Sequence, residues 1–117
     1  MVSVIQKHKI ENLLLDLGFA KEDFELLTTT IQYHLEGMGM LEIYQRIGIE
    51  RGGKSKRIEK ALHNAILQAW QHQSPMMRDM FFGYLIQQCP SNQIAIEIIG
   101  RKVEDYEQRK STNISGY

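Results

Sequence analysis

The sequence predicts an all-α protein of about six helices, on three observations. Apolar residues recur at spacings of three and four along most of the chain. The strict alternation that half-buried strands need is absent. Glycines and prolines fall between the periodic runs, where helices start and stop. The 117 residues suffice for one domain with a modest core and are too few for two. A hydrophobic content of 43% argues against disorder.

In the first predicted helix Ile10, Leu13, Leu14 and Leu17 share one face, and Gly18 ends it. A second stripe, Phe24, Leu27, Ile31 and Leu35, ends near Gly37. Leu41, Ile43, Tyr44 and Ile47 predict a short third helix, which Gly48 should weaken. After Gly52-Gly53 a fourth runs over about 55–70, with Ile58, Ala61, Leu62, Ala65, Ile66 and Ala69 on one side and Trp70 continuing the stripe into the core. Ser74-Pro75 reads as an N-cap followed by proline at the first helical position, opening a fifth helix with Met77, Met80, Phe81, Tyr84 and Leu85. Pro90-Ser91 opens a sixth, with Ile94, Ala95, Ile98, Ile99 and Val103 at helical spacing. Residues 1–110 are thus expected to form a single helical domain and 111–117 a flexible tail.

One cysteine, Cys89, excludes an intrachain disulfide and reads as a small buried hydrophobe. The start MVSVIQKHKIENLLL lacks the apolar run and cleavage site of a signal peptide. No stretch approaches the roughly 20 apolar residues of a membrane span. The expectation is a reduced, cytoplasmic protein with no membrane partner.

Fourteen basic residues balance fourteen acidic ones, but unevenly. Residues 10–45 hold seven acids against Lys21, a balance of −6. Residues 46–63 hold six bases (Arg46, Arg51, Lys54, Lys56, Arg57 and Lys60) against Glu50 and Glu59, a balance of +4. Cations at a helix N-terminus oppose the positive end of the macrodipole, at a few tenths of a kcal/mol per charge. A helix built only for stability would carry acids there. The plain reading of KSKRIEK is a solvated face; the functional reading is a recognition helix whose front meets DNA while its back docks on the domain. A short helix, a glycine turn and a longer amphipathic helix are the order of a helix-turn-helix.

At 100° per residue, Lys56, Lys60 and His63 or Asn64 share one side of the fourth helix, flanked by Arg57 and Glu59. Lys56, Arg57, Glu59 and Lys60 are the candidates for base edges, Glu59 as acceptor from a cytosine amino group. Lys54 and Ser55 suit phosphate, and Arg51 and Arg46 suit the flanking backbone. His63 is a further DNA candidate. Ser55 has an alternative role as N-cap, and Glu59 as partner of His63 on the same helix.

The segment KRIEKALHNAILQAW (56–70) resembles the recognition-helix region of the effector domain of the stage-zero sporulation protein A family. Arg57, Glu59 and Lys60 match its basic-x-Glu-basic start, Ala61, Leu62, Ala65 and Ile66 its alanine repeat, and Ala69-Trp70 its end. FFGYLI (81–86) is similar to a Phe-Gly-Tyr segment of the family, PSNQIAIEIIGRKVEDYE (90–107) to its final helix, and LLLDLGF (13–19) to its opening helix. The resemblance implies an all-α effector fold of the winged-helix-like type, sequence-specific binding to double-stranded DNA, and pairing of two copies on tandem sites through the last two helices. Beginning at Met1, the chain is expected to lack the family's receiver domain, so phosphorylation control is not carried over. Gly48 stands where the family usually has alanine, and Gly52-Gly53 replaces polar capping residues. Lys56, Lys60 and His63 also differ from the family. Lysine loses the bidentate fork with which arginine reads guanine, so a drifted target sequence is expected.

Other chemistry finds little support. His8, His34, His63 and His72 lack metal-ligand spacing, no glycine-rich phosphate loop occurs, and Thr28-Thr29-Thr30 reads as surface filler. Neither enzyme activity, cofactor nor metal is expected. The methionines read as core filler, with an adaptable partner-binding patch as the other reading. Two functions remain open: a stand-alone DNA-binding transcription regulator, or a protein-interaction module of the same fold that no longer binds DNA strongly.

Overall fold

A computed structural model gives the architecture; it describes residues 4–115, with side chains for residues 6–105. Among the described residues the fold is all-α, with no strand. The helices are α1 (Val4–Leu17), α2 (Phe24–Leu35), α3 (Met40–Arg51), α4 (Ser55–His72), α5 (Pro75–Phe82) and α6 (Asn92–Ser115), with a 3-10 turn over Lys21–Asp23. Of the 111–117 tail, α6 takes in the residues up to Ser115, and Gly116 and Tyr117 lie outside the described residues.

The predicted stripes form one core, except that Leu41 and Leu85 are exposed. Ile10, Leu13, Leu14 and Leu17 of α1 are buried with Leu27 and Ile31 of α2. Ile43, Tyr44 and Ile47 of α3 join Ile58, Leu62, Ala65, Ile66 and Ala69 of α4. Ile96, Ile98, Ile99 and Val103 of α6 complete it, while Ile94 is exposed. α3 packs on α4, α2 on α6, and α1 on α2 and α5. Burying such side chains stabilises the fold by roughly 1.5–3 kcal/mol each. The Ser74 hydroxyl accepts from the Met77 N–H at 3.1 Å, and Pro75 takes the first helical position, as the sequence predicts.

Several expectations need correction. Trp70 is partly buried, meeting Phe81 edge-on with ring centroids 6.0 Å apart. Tyr84, expected among the apolar residues of the fifth helix, lies beyond the end of α5 and is exposed under the Arg101 guanidinium. Ala61 is exposed, because an alanine at the edge of the stripe buries too little surface to turn the helix toward it. Thr28 and Thr30 are buried, with Thr30 Oγ1 donating to the Leu26 carbonyl at 2.8 Å. Returning its hydroxyl to the preceding turn lets Thr30 enter an apolar face, whereas Thr28 Oγ1 has no hydrogen-bond partner. Cys89 is half-buried, and that burial pushes its thiol up. Met77 is buried, and Met38, Met40, Met76 and Met80 pack against the core, as filler should.

Candidate nucleic-acid interface

α3, its glycine turn and α4 form the segment read as a helix-turn-helix. α3 ends at Gly52, which adopts φ 71° and ψ 22°. The Gly53 N–H donates to the Gly48 carbonyl at 2.8 Å, and the Gly52 N–H to the Ile49 carbonyl at 3.4 Å. This paired arrangement closes a helix through a left-handed residue, which glycine enters without steric cost. A Cβ on Gly48 would lie 3.0 Å from the Gly53 carbonyl oxygen and 3.4 Å from the Ser55 nitrogen. The glycines expected to loosen the segment therefore let the turn fold back onto α3. α3 is a full helix of 12 residues despite Gly48.

α4 starts one residue earlier than a Ser55 cap requires. Lys54 holds the N-cap position in extended conformation with no side-chain cap, and Ser55 is the first helical residue. Among the described residues the Ser55 and Lys56 amides find no backbone acceptor. The uncapped end thus presents free N–H donors beside Lys54 and Lys56, chemistry that favours an anion. Lys54, Lys56, Arg57, Glu59, Lys60 and His63 are exposed, and Ser55 is half-buried. None of these forms an ion pair with a described residue, and Glu59 does not pair with His63. The opposite face buries Ile58, Leu62, Ala65 and Ile66.

Arg46 and Arg51 lie apart from this group. The Arg46 guanidinium sits 5.7 Å from the Tyr33 ring centroid, and Arg51 Nη2 lies 4.0 Å from Glu25 Oε1. The Tyr33 hydroxyl donates to Glu50 at 2.6 Å, a bond that pushes its phenol up. These contacts face α2. The Arg51–Glu25 pair is exposed enough to release Arg51 at little cost.

A groove beside α4 holds the residues that sequence reasoning missed. It runs between the start of α3 (Met40, Leu41, Tyr44), one side of α4 (Glu59, Lys60, His63) and the start of α6 (Ser91, Asn92, Gln93). Asn92, 8% exposed, donates from Nδ2 to the Tyr44 hydroxyl at 2.9 Å and to the Glu59 carbonyl at 3.0 Å. One side chain therefore ties three helices. The Asn92 Oδ1 has no hydrogen-bond partner. Burial pushes the Tyr44 phenol up, Asn92 lowers it and Glu59 raises it. Asparagine is mostly exposed in proteins, so only its position at the start of an apolar helix signals the role.

No family model matches the chain, and neither the curated proteins nor the solved structures contain a match. No helix among the described residues is long and apolar enough to cross a membrane.

Proposed function

We propose that this domain binds double-stranded DNA through α3, its turn and α4, with α4 laid in the major groove. One observation carries the reading. The outward face of α4 presents Lys56, Arg57, Glu59, Lys60 and His63 to solvent while the reverse face is anchored in the core. A helix so mounted offers hydrogen-bonding side chains at groove depth while its large apolar side chains stay in the core. Lys54 and the free amides at Ser55 and Lys56 suit a phosphate beside it, and Arg51 a flanking one. Arg57 is the strongest candidate for reading guanine, and Glu59 for accepting from cytosine. The similarity of 56–70 to the sporulation effector helix supports a role as transcription regulator. A selection from random duplexes at stated salt tests the reading: an enriched motif supports it, and an unenriched pool opposes it.

A protein contact has its own support. Phe82 at the end of α5 and Tyr84 and Leu85 after it are exposed, and Leu85 is 87% exposed with φ 60°. A leucine rarely adopts that conformation, and here no core packing offsets its cost. This patch lies where two copies on adjacent sites were expected to meet. Equilibrium sedimentation with and without a duplex tests it, with weak self-association expected alone and pairing on DNA; a tight dimer without DNA contradicts it.

A further inference from the structure

We propose that Asn92, which lies outside the α3–turn–α4 segment, is a positioning residue: it fixes α4 along and about its axis, and so sets how the outward side chains of α4 meet DNA bases. The last clause rests on the DNA reading; the anchoring itself does not. Asn92 is the first residue of α6 and is 8% exposed. Its amide nitrogen has two protons, and both are committed. One goes to the Tyr44 hydroxyl of α3 at 2.9 Å, the other to the Glu59 carbonyl of α4 at 3.0 Å. The flipped amide would set Oδ1 against the Glu59 carbonyl, two acceptors together, so this orientation is fixed. The anchor is itself held. Pro90 is buried before it, the Ser91 hydroxyl accepts from the Ile94 N–H at 3.3 Å, and Ala95, Ile96 and Ile99 sit in the core.

Apolar packing alone would leave α4 freer. The buried surfaces of the three helices are made by Ile43 and Ile47, by Leu62, Ala65 and Ile66, and by Ile96 and Ile99. Such contacts have no direction, and cores of this kind lose uniqueness before they lose stability. A hydrogen bond is directional. Sliding α4 by one turn, about 5.4 Å, or turning it by one residue, about 100°, carries the Glu59 carbonyl out of reach of Asn92. The grip falls on the turn of α4 that carries Glu59, Lys60 and His63, all exposed. It also has a cost. Asn92 Oδ1 is buried with no hydrogen-bond partner, a penalty that an apolar pair in place of Asn92 and Tyr44 would not carry. A single buried asparagine plays this part in coiled coils, where it specifies register at the expense of stability. The unmatched oxygen fits a residue that serves placement rather than stability.

Placement and stability separate when both partners are replaced together. Tyr44→Phe with Asn92→Leu keeps the side-chain shapes and leaves neither a hydroxyl nor an amide unmatched, so its thermal melt should lie close to the parent's. Anisotropy on a selected and a scrambled duplex should show this double variant discriminating roughly 10-fold less. The loss should come from the selected duplex, with affinity for the scrambled one and the salt slope unchanged. Tyr44→Phe alone keeps the Glu59 bond; it should lose a smaller part of the discrimination, and it carries the test if the double variant does not fold. Ile10→Val, a core change in α1, is the control for stability and should discriminate like the parent. If the parent discriminates and the Tyr44 and Asn92 variants do so equally well, or if Ile10→Val loses as much, the positioning role is overturned while the DNA reading stands. If the parent does not discriminate, the DNA reading fails and NMR without DNA decides the anchoring. There the Glu59, Lys60 and His63 amides should give single sharp peaks in the parent and split or broadened peaks in the variants, as α4 exchanges between placements. Single sharp peaks in parent and variants alike overturn it.

Discussion

Asn92 Nδ2 lies 2.9 Å from the Tyr44 hydroxyl, a hydrogen bond spanning 48 residues of sequence. With the second bond to the Glu59 carbonyl it holds the start of α6 against both helices of the candidate DNA-binding segment. Asn92→Ala should cost about 1–3 kcal/mol, because it strands two buried groups. Tyr44→Phe should cost about 1 kcal/mol. A double-mutant cycle by urea unfolding should return a coupling of about 1 kcal/mol; strictly additive losses would show that the bond is not made.

Gly48→Ala gives the second prediction. Helix propensity alone favours alanine by about 1 kcal/mol. The new Cβ would press on the Gly53 carbonyl oxygen at 3.0 Å, and backbone held in a closed turn yields little. The substitution should therefore destabilise by about 1 kcal/mol. Gly52→Ala should do likewise through its φ of 71°, although its Cβ would meet nothing within 4 Å. Thermal melts check both, and a rise in Tm for Gly48→Ala would show that the turn is not packed against α3.

Phe81 and Trp70 should differ in their contribution to stability. Phe81 is 1% exposed, and its truncation to alanine should cost about 3–5 kcal/mol. Trp70 is only partly buried, so Trp70→Ala should cost less, about 2–3 kcal/mol. Denaturant midpoints at constant m-value rank the two. The reverse order would place Trp70, not Phe81, at the centre of the core.

Helix identity was legible because Leu13, Leu14, Ile31, Leu62 and Ile66 carry the apolar period, and Ser74-Pro75 marks a start by local chemistry. The exposed face of α4 was legible for the same reason: a strong stripe on one side fixes what the other side shows. Trp70, Ala61 and Thr28 were misjudged because periodicity gives a direction but not a depth of burial. Gly48 was misread because its role depends on a turn folding back in three dimensions. Asn92 and Tyr44 were missed because their partner lies 48 residues away, and no local signal reports such a pairing. Ser55 was one residue out as a cap, since Lys54 adopts the extended cap conformation without a capping side chain.

The central claim is that the exposed cations of α4 serve DNA, and fluorescence anisotropy across a salt series, on a selected and a scrambled duplex, tests it most directly. Lys54→Ala should weaken both duplexes about equally and lower the salt slope by about one, because a phosphate contact releases roughly one counterion. Arg57→Ala should cost about 1–3 kcal/mol mainly on the selected duplex. Glu59→Ala should relax the preference without weakening nonspecific binding, since a carboxylate near phosphates repels them. A parent that binds neither duplex in a salt-dependent way, or three variants indistinguishable from it, would contradict the account and return these side chains to solvent or to a protein partner.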